Sequence, residues 1–323
     1  MFEELIVPQE NTLDTRERKF LIAVDGSPHS LNAVGYAAQY CGPASIKVNL
    51  MHVIPPAPET LLDLGKEHFF KDTMQTHRIE WNKNAEKMAQ HFLDKALDLL
   101  VAGGVPKNDV AVILQERKVG IARDIIEESL RGYKAVVVGR GGLRRPGQPF
   151  LGSVSNKIVE KIQDVPVWVI GHDIRTNKML LAVDASENSR KAVDYVGTVA
   201  AASEAEITLF HVVRKFGYLD DPTLRHGEIE GFWEEVKSDI PRMFRAYQVS
   251  LEKAGITGLR ISSEAMLDSP SRSGDIIREA REGAYGTIVM GRRGLSKVRD
   301  FLMGRVTSKV LNQAEDFAVW IVP

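Results

Sequence analysis

The stretch KFLIAVDGSPHSLNAV at residues 19–34 returns as KMLLAVDASENSRKAV at residues 178–193, and that pair decides the fold. Working outward, VNLMHVI at 48–54 matches ITLFHVV at 207–213. AVVVGRGGL at 135–143 matches TIVMGRRGL at 287–295, and VPVWVI at 165–170 matches FAVWIV at 317–322. Four blocks recur in one order with similar spacing. The period of about 155 residues is the size of a domain, so the chain reads as one unit written twice rather than as a solenoid. A length of 323 residues suits two domains.

Each unit alternates short apolar runs with helical patterns. Residues 20–24 form an apolar run stopped by Asp25-Gly26-Ser27-Pro28, the reading of a buried parallel strand. Ser27 or Ser30 then caps a helix through Tyr40. Residues 46–54, 110–115, 135–138 and 165–170 give the remaining strands. Helical patterns fall at roughly 60–102, 121–130 and 153–162, the first with Met88, Phe92, Leu93, Ala96, Leu97 and Leu100 at helical spacing. The second unit repeats this from Met179. Its insert at roughly 228–254 carries a core stripe of Phe232, Trp233, Val236, Ile240, Met243, Phe244 and Tyr247. Such alternation predicts an α/β fold with a doubly wound parallel sheet in each half. The expected division is an extension at 1–18, one domain at 19–172 and a second at 173–323, joined by a polar linker at 171–177.

Composition narrows the function. A net charge of -1 gives no basis for nucleic acid or a membrane surface as the main partner. The single Cys41 makes neither an internal disulfide nor a metal cluster. The first residues lack an apolar run, and no stretch approaches the roughly 20 apolar residues of a membrane span. A cytoplasmic location is the expectation.

The chemistry concentrates after the fourth strand. Gly139-Arg140-Gly141-Gly142 is followed by nine residues and then by Gly152-Ser153-Val154-Ser155, where a helix begins. Ligands of open α/β sheets bind beyond the carboxyl ends of the strands. Glycines there let backbone N–H groups approach an anion, and a helix N-terminus adds free donors and a positive dipole end. Ser153 and Ser155 add hydroxyls, and Arg140, Arg144 and Arg145 add charge. A plain turn with solvated arginines is the competing reading. The loop is neither a Walker A nor a dinucleotide fingerprint. Asp25, repeated as Asp184, reads as a ribose or metal ligand or as a turn aspartate. His52 and His211 read as core histidines before general bases. No hydrolase signature is present.

Taken together, the two glycine clusters, the Ala-Val-Asp-Gly-Ser opening and the His-Val end of the second strand resemble the universal stress protein family, over both halves. The resemblance implies a five-stranded parallel sheet flanked by helices in each half. It also implies an intramolecular pseudo-dimer through residues 165–170 and 317–322, with a further homodimer left open. It implies ATP, AMP or ADP in half one, with Mg²⁺ accompanying ATP. Adenosine would lie near Ala23, Val24, Asp25 and Val53. Phosphates would lie on Gly139, Arg140, Gly142, Gly152, Ser153, Val154 and Ser155. Half two keeps Asp184, Val212, Gly291, Arg292, Gly294, Gly304, Val306 and Thr307, but Arg305 replaces the serine and Ala185 the glycine. A guanidinium filling the phosphate space would weaken that site; one pairing with the phosphate would alter it. The expected function is nucleotide binding in a stress or signalling role without efficient turnover. A nucleotide-independent scaffold is the alternative, and a nucleotide-dependent enzyme of the same superfamily the third reading. The helical inserts are further candidates to cover an apolar ligand.

Overall fold

The computed structural model describes residues 18–58, 71–141, 151–172, 174, 176–214, 226–294 and 303–323. The predicted helix start near residue 60, Gly142 and the 144–149 loop therefore lie outside the described residues. So do the side chains of Phe232 and Trp233.

In half one the elements are β1 (Lys19–Ala23), α1 (Pro28–Cys41), β2 (Lys47–Ile54), α2 (Lys71–Ala102), β3 (Val110–Glu116), α3 (Ile121–Ser129), β4 (Ala135–Gly139), α4 (Ser153–Lys161) and β5 (Val167–Ile170). Half two repeats them as β6 (Lys178–Ala182), α5 (Glu187–Ala200), β7 (Glu206–Arg214), α6 (His226–Lys253), β8 (Ile261–Ser269), α7 (Arg272–Glu282), β9 (Thr287–Gly291), α8 (Arg305–Gln313) and β10 (Ala318–Val322). The expected alternation holds, because the fully apolar runs are buried on both faces as parallel strands require.

The ten strands of the described residues form one sheet, in the order β3-β2-β1-β4-β5-β10-β9-β6-β7-β8. Pairing is parallel within each half. At the seam β5 and β10 run antiparallel, with Trp168 opposite Trp320. The two last strands thus pair within one chain, as the resemblance implied. The indoles stack with centroids 3.7 Å apart and planes 6° from parallel. Phe20, Tyr36, Tyr40 and Tyr195 meet them edge-on. The Tyr36 hydroxyl crosses from half one to lie 2.7 Å from Thr287 Oγ1 in half two.

Two cores lie on the two faces of the sheet, and each takes residues from both halves. One packs α1, α2, α5 and α6; the other packs α3, α4, α7 and α8. On α2 the buried face is Ala89, Leu93, Ala96 and Leu100, while Met88 is 71% exposed. Met88 therefore leaves the predicted stripe. One helical residue is about 100° of rotation, which puts position 88 on the solvent side of the face that starts at 89. On α6, Ile240, Phe244 and Tyr247 are buried, as expected of a core stripe.

Candidate functional site

The strand order reverses between β1 and β4, so their carboxyl ends flank the switch point where open α/β sheets take ligands. Asp25, Gly139, Arg140, Gly141 and the start of α4 gather there. Ser27 caps α1 by accepting the Ser30 N–H, and Pro28 follows in the first turn. Asp25 accepts hydrogen bonds from the Ser27 N–H at 3.0 Å and the Ser27 hydroxyl at 2.5 Å. Its carboxylate thus closes its own turn. Gly26 has φ +77°, and a Cβ there would fall 2.6 Å from Phe92 of α2. Glycine is required twice over, for the left-handed backbone and for the approach of the insert helix.

His52 lies beneath. Its Nδ1 donates to the Val24 carbonyl at 2.7 Å, and Phe92 meets its ring edge-on at 4.9 Å. His211 makes the same bond to Val183. Both histidines are spacers with one ring nitrogen committed to the main chain. Burial holds the His52 imidazole below its ordinary value of 6.5, against the opposing pull of the Val24 carbonyl and Asp25. A base whose folded pKa is depressed contributes stability that is full above the unfolded value and lost as pH falls through the folded one. We therefore expect the melting temperature to fall as pH drops below about 6.5, with a shallower slope in His52→Gln, as followed by calorimetry. Equal slopes would exclude His52 as a contributor.

The glycine loop is anchored at both ends. The Gly152 N–H donates to the Arg140 carbonyl at 2.9 Å, and α4 begins at once. Among the described residues no side chain caps this helix. Its first intrahelical bond runs from the Asn156 N–H to the Gly152 carbonyl, so the N–H groups of Ser153, Val154 and Ser155 precede the ladder. Ser153 is exposed beside them. Uncapped donors at the positive end of a helix dipole are the elements of an anion seat.

Three expected phosphate ligands do other work. The Ser155 hydroxyl is buried and donates to the Gly139 carbonyl at 2.8 Å, tying α4 to β4. A Cβ on Gly139 would fall 2.7 Å from the His29 carbonyl, so this glycine admits the first turn of α1. Arg140 is 5% exposed, and its guanidinium turns into half two. There it donates to the carbonyls of Leu311 at 2.6 Å, Asn312 at 3.0 Å and Ala314 at 3.2 Å. The expectation that its charge sits on the phosphates is corrected. A buried guanidinium needs acceptors, and the carbonyl end of α8 supplies them together with the negative end of a dipole. Arg292 reciprocates, donating to Val159 at 2.7 Å and Glu160 at 3.1 Å at the end of α4. Sequence reasoning missed this crossed pair. Its signal was an arginine immediately after the fourth strand in both copies.

Half two is built alike and differs at the mouth. Gly304 precedes α8 uncapped, and Thr307 Oγ1 donates to the Gly291 carbonyl at 3.0 Å. Arg305 is exposed at the first position of α8, as Val306 follows it half-buried. Asp184 accepts the Ser189 hydroxyl at 2.7 Å and the Ser186 N–H at 3.1 Å. A Cβ on Gly294 would fall 2.6 Å from Asp184 Oδ2, so the carboxylate lies against the loop glycine. Tyr247, on α6, donates its hydroxyl to the Asp184 carbonyl at 2.7 Å. Ala185 stands where Gly26 stands in half one and is not among the residues of positive φ. Ala23 is half-buried and Val24 and Val53 are buried at the β1 and β2 ends, and Val212 is buried at the β7 end. Among the described residues no group of three or more His, Cys, Asp or Glu gathers to hold a metal ion. No described helix is long and apolar enough to cross a membrane.

The profile of the universal stress protein family matches residues 17–171 and again 175–323. A universal stress protein of Mycolicibacterium smegmatis is 24% identical over 303 residues, covering 92% of this chain and 95% of its own. Universal stress protein YxiE of Bacillus subtilis is 28% identical over 136 residues, 42% of this chain and 90% of its own. The crystal structure of a universal stress protein from Archaeoglobus fulgidus aligns with a TM-score of 0.63 at 20% identity, over 95% of this chain and 98% of that one. With two successive matches over almost its whole length, on a fold built twice, the chain belongs to the universal stress protein family.

Proposed function

We propose that half one binds an adenine nucleotide, ATP or AMP, and that the protein acts in a stress response through occupancy of that site rather than through turnover. The observation that carries this reading is the uncapped start of α4, where the N–H groups of Ser153, Val154 and Ser155 precede the helical ladder beside the glycine loop. Phosphates sit on those groups, on Gly152 and on the main chain of Gly139 to Gly142. Adenosine sits along Ala23, Val24, Asp25 and Val53. Any Mg²⁺ enters with ATP. Arg140 contributes its backbone and not its charge. Half two serves as the scaffold partner, because Asp184 closes on Gly294 at the mouth of its loop.

Calorimetry with ATP and Mg²⁺ tests the reading, with Ser153→Glu as the control. A glutamate at the first position of a helix suits the dipole, so the variant keeps its fold. It also places a negative charge on the phosphate seat. Binding by the parent chain and a loss of at least about tenfold in affinity in the variant are expected. Equal affinity, or no heat with the parent chain, would sink the proposal.

A further inference from the structure

Arg140 is spent on α8. The side chain nearest to where a Cβ on Gly141 would stand is His29, whose Cε1 and Nε2 lie 3.4 and 3.5 Å from it. His29 sits in the first turn of α1, two residues after the cap residue Ser27. Its Nε2 lies 3.0 Å from Nε2 of His172, which follows β5. The ring centroids are 4.3 Å apart at 58°, a tilted overlap rather than the splayed approach of two rings around one metal. The pair has no counterpart in half two. Asn188 stands where His29 stands, against Gly291 as His29 is against Gly139, so half two lacks the first partner of the pair.

Two nitrogens at 3.0 Å share one proton. His29 Nε2–H donating to His172, or the reverse, leaves the pair neutral. The His29 Nδ1 is buried and has no partner among the described residues. On His29 itself a second proton therefore either enters that buried position or breaks the bond between the rings. Among the described residues the charged groups facing His29 are His172, from the segment after β5, and Asp25, at the end of β1. Ser27, Pro28 and Gly141 bring no charge. Burial first, and then His172, hold the imidazole below its ordinary value, and Asp25 opposes them. An arriving phosphate changes that balance by adding negative charge beside the rings.

We propose that His29 and His172 form the phosphate-binding cation of half one, an imidazole pair that takes up one proton from solvent as the nucleotide binds. The inference rests on half one being the nucleotide site, and it adds a proton linkage to that reading. The pair opens as the imidazolium turns to a phosphate oxygen, and affinity rises as pH falls. The linkage belongs to half one alone, so it distinguishes the two otherwise similar loops by chemistry as well as by shape.

The test is calorimetry of ATP binding to the full chain near pH 8 and near pH 6, in two buffers of different ionisation enthalpy. His29→Asn and His172→Asn are the variants. Asn188 shows that asparagine fits the first position in this fold, and His172 is exposed. Uptake of about one proton, and an affinity rise of about tenfold or more toward the lower pH, are expected in the parent chain. Both effects should vanish in either variant while weaker binding persists. Nucleotide binding without proton uptake, or a pH dependence unchanged in the variants, would overturn the inference and leave the nucleotide site standing. Absence of binding at both pH values would overturn both.

Discussion

Trp168→Ala is expected to destabilise the chain by about 3–5 kcal/mol, the range for deleting a large buried aromatic side chain. Trp168 is fully buried and stacks on Trp320 across the β5–β10 seam. Four other rings contact it edge-on, among them Tyr36 and Tyr40 from half one and Tyr195 from half two. Among the described residues the two parallel sheets join at the seam, and both faces of the sheet are covered there by helices of both halves. A cavity at that point removes contacts from both units at once, and close-packed neighbours relax into it only in part. The effect is read by urea denaturation. Trp320→Ala is expected to cost a similar amount. The double variant should cost less than the two added together, because each indole loses its partner only once. Additivity of the two losses, or a loss below about 1 kcal/mol for either, would contradict the stacked seam as the joining element. Trp168→Phe, which keeps an aromatic ring at the seam, is expected to cost clearly less than the alanine variant.

Arg140→Met comes next, with an expected loss of about 2–4 kcal/mol. The guanidinium makes charge-assisted bonds to three carbonyls at the end of α8. Methionine fills much of the space and removes every donor, so buried acceptors are left unpaired and the helix end loses its compensating charge. Burial lowers the guanidinium pKa while Glu315 and Asp316 raise it, and an arginine in such a place stays charged. Hydrogen exchange locates the damage. Amides of α8 should lose protection before those of β1 or β4. Arg292→Met should do the same to α4. Because the N-terminal end of α4 is the proposed phosphate seat, Arg292→Met is expected to weaken nucleotide binding in half one from a residue in half two. Arg140→Met should spare α4. Loss of protection spread evenly over both halves in either variant would refute the crossed arrangement.

The duplication, the order of strands and helices, and the place of the glycine loop are legible in the residues alone. Those follow from local patterns: apolar runs of strand length, turn residues at their ends, and four recurring blocks. The sequence also carried the asymmetry of Ser153 against Arg305 and of Gly26 against Ala185. The work of each charged or polar group became legible once the fold had brought its partners together. Arg140 and Ser155 sit in a motif that reads as phosphate-binding, and their side chains are consumed by α8 and β4. Met88 lies in the helical pattern and points to water. His29 and His172 are 143 positions apart and meet at 3.0 Å. The reason is physical. Periodicity and turn chemistry are properties of neighbours in the chain, whereas the partner of a buried donor is set by which elements the sheet order brings together. The antiparallel joint of β5 and β10 brings each half's arginine to the other's last helix, and the position of β5 beside β4 brings His172 to the loop.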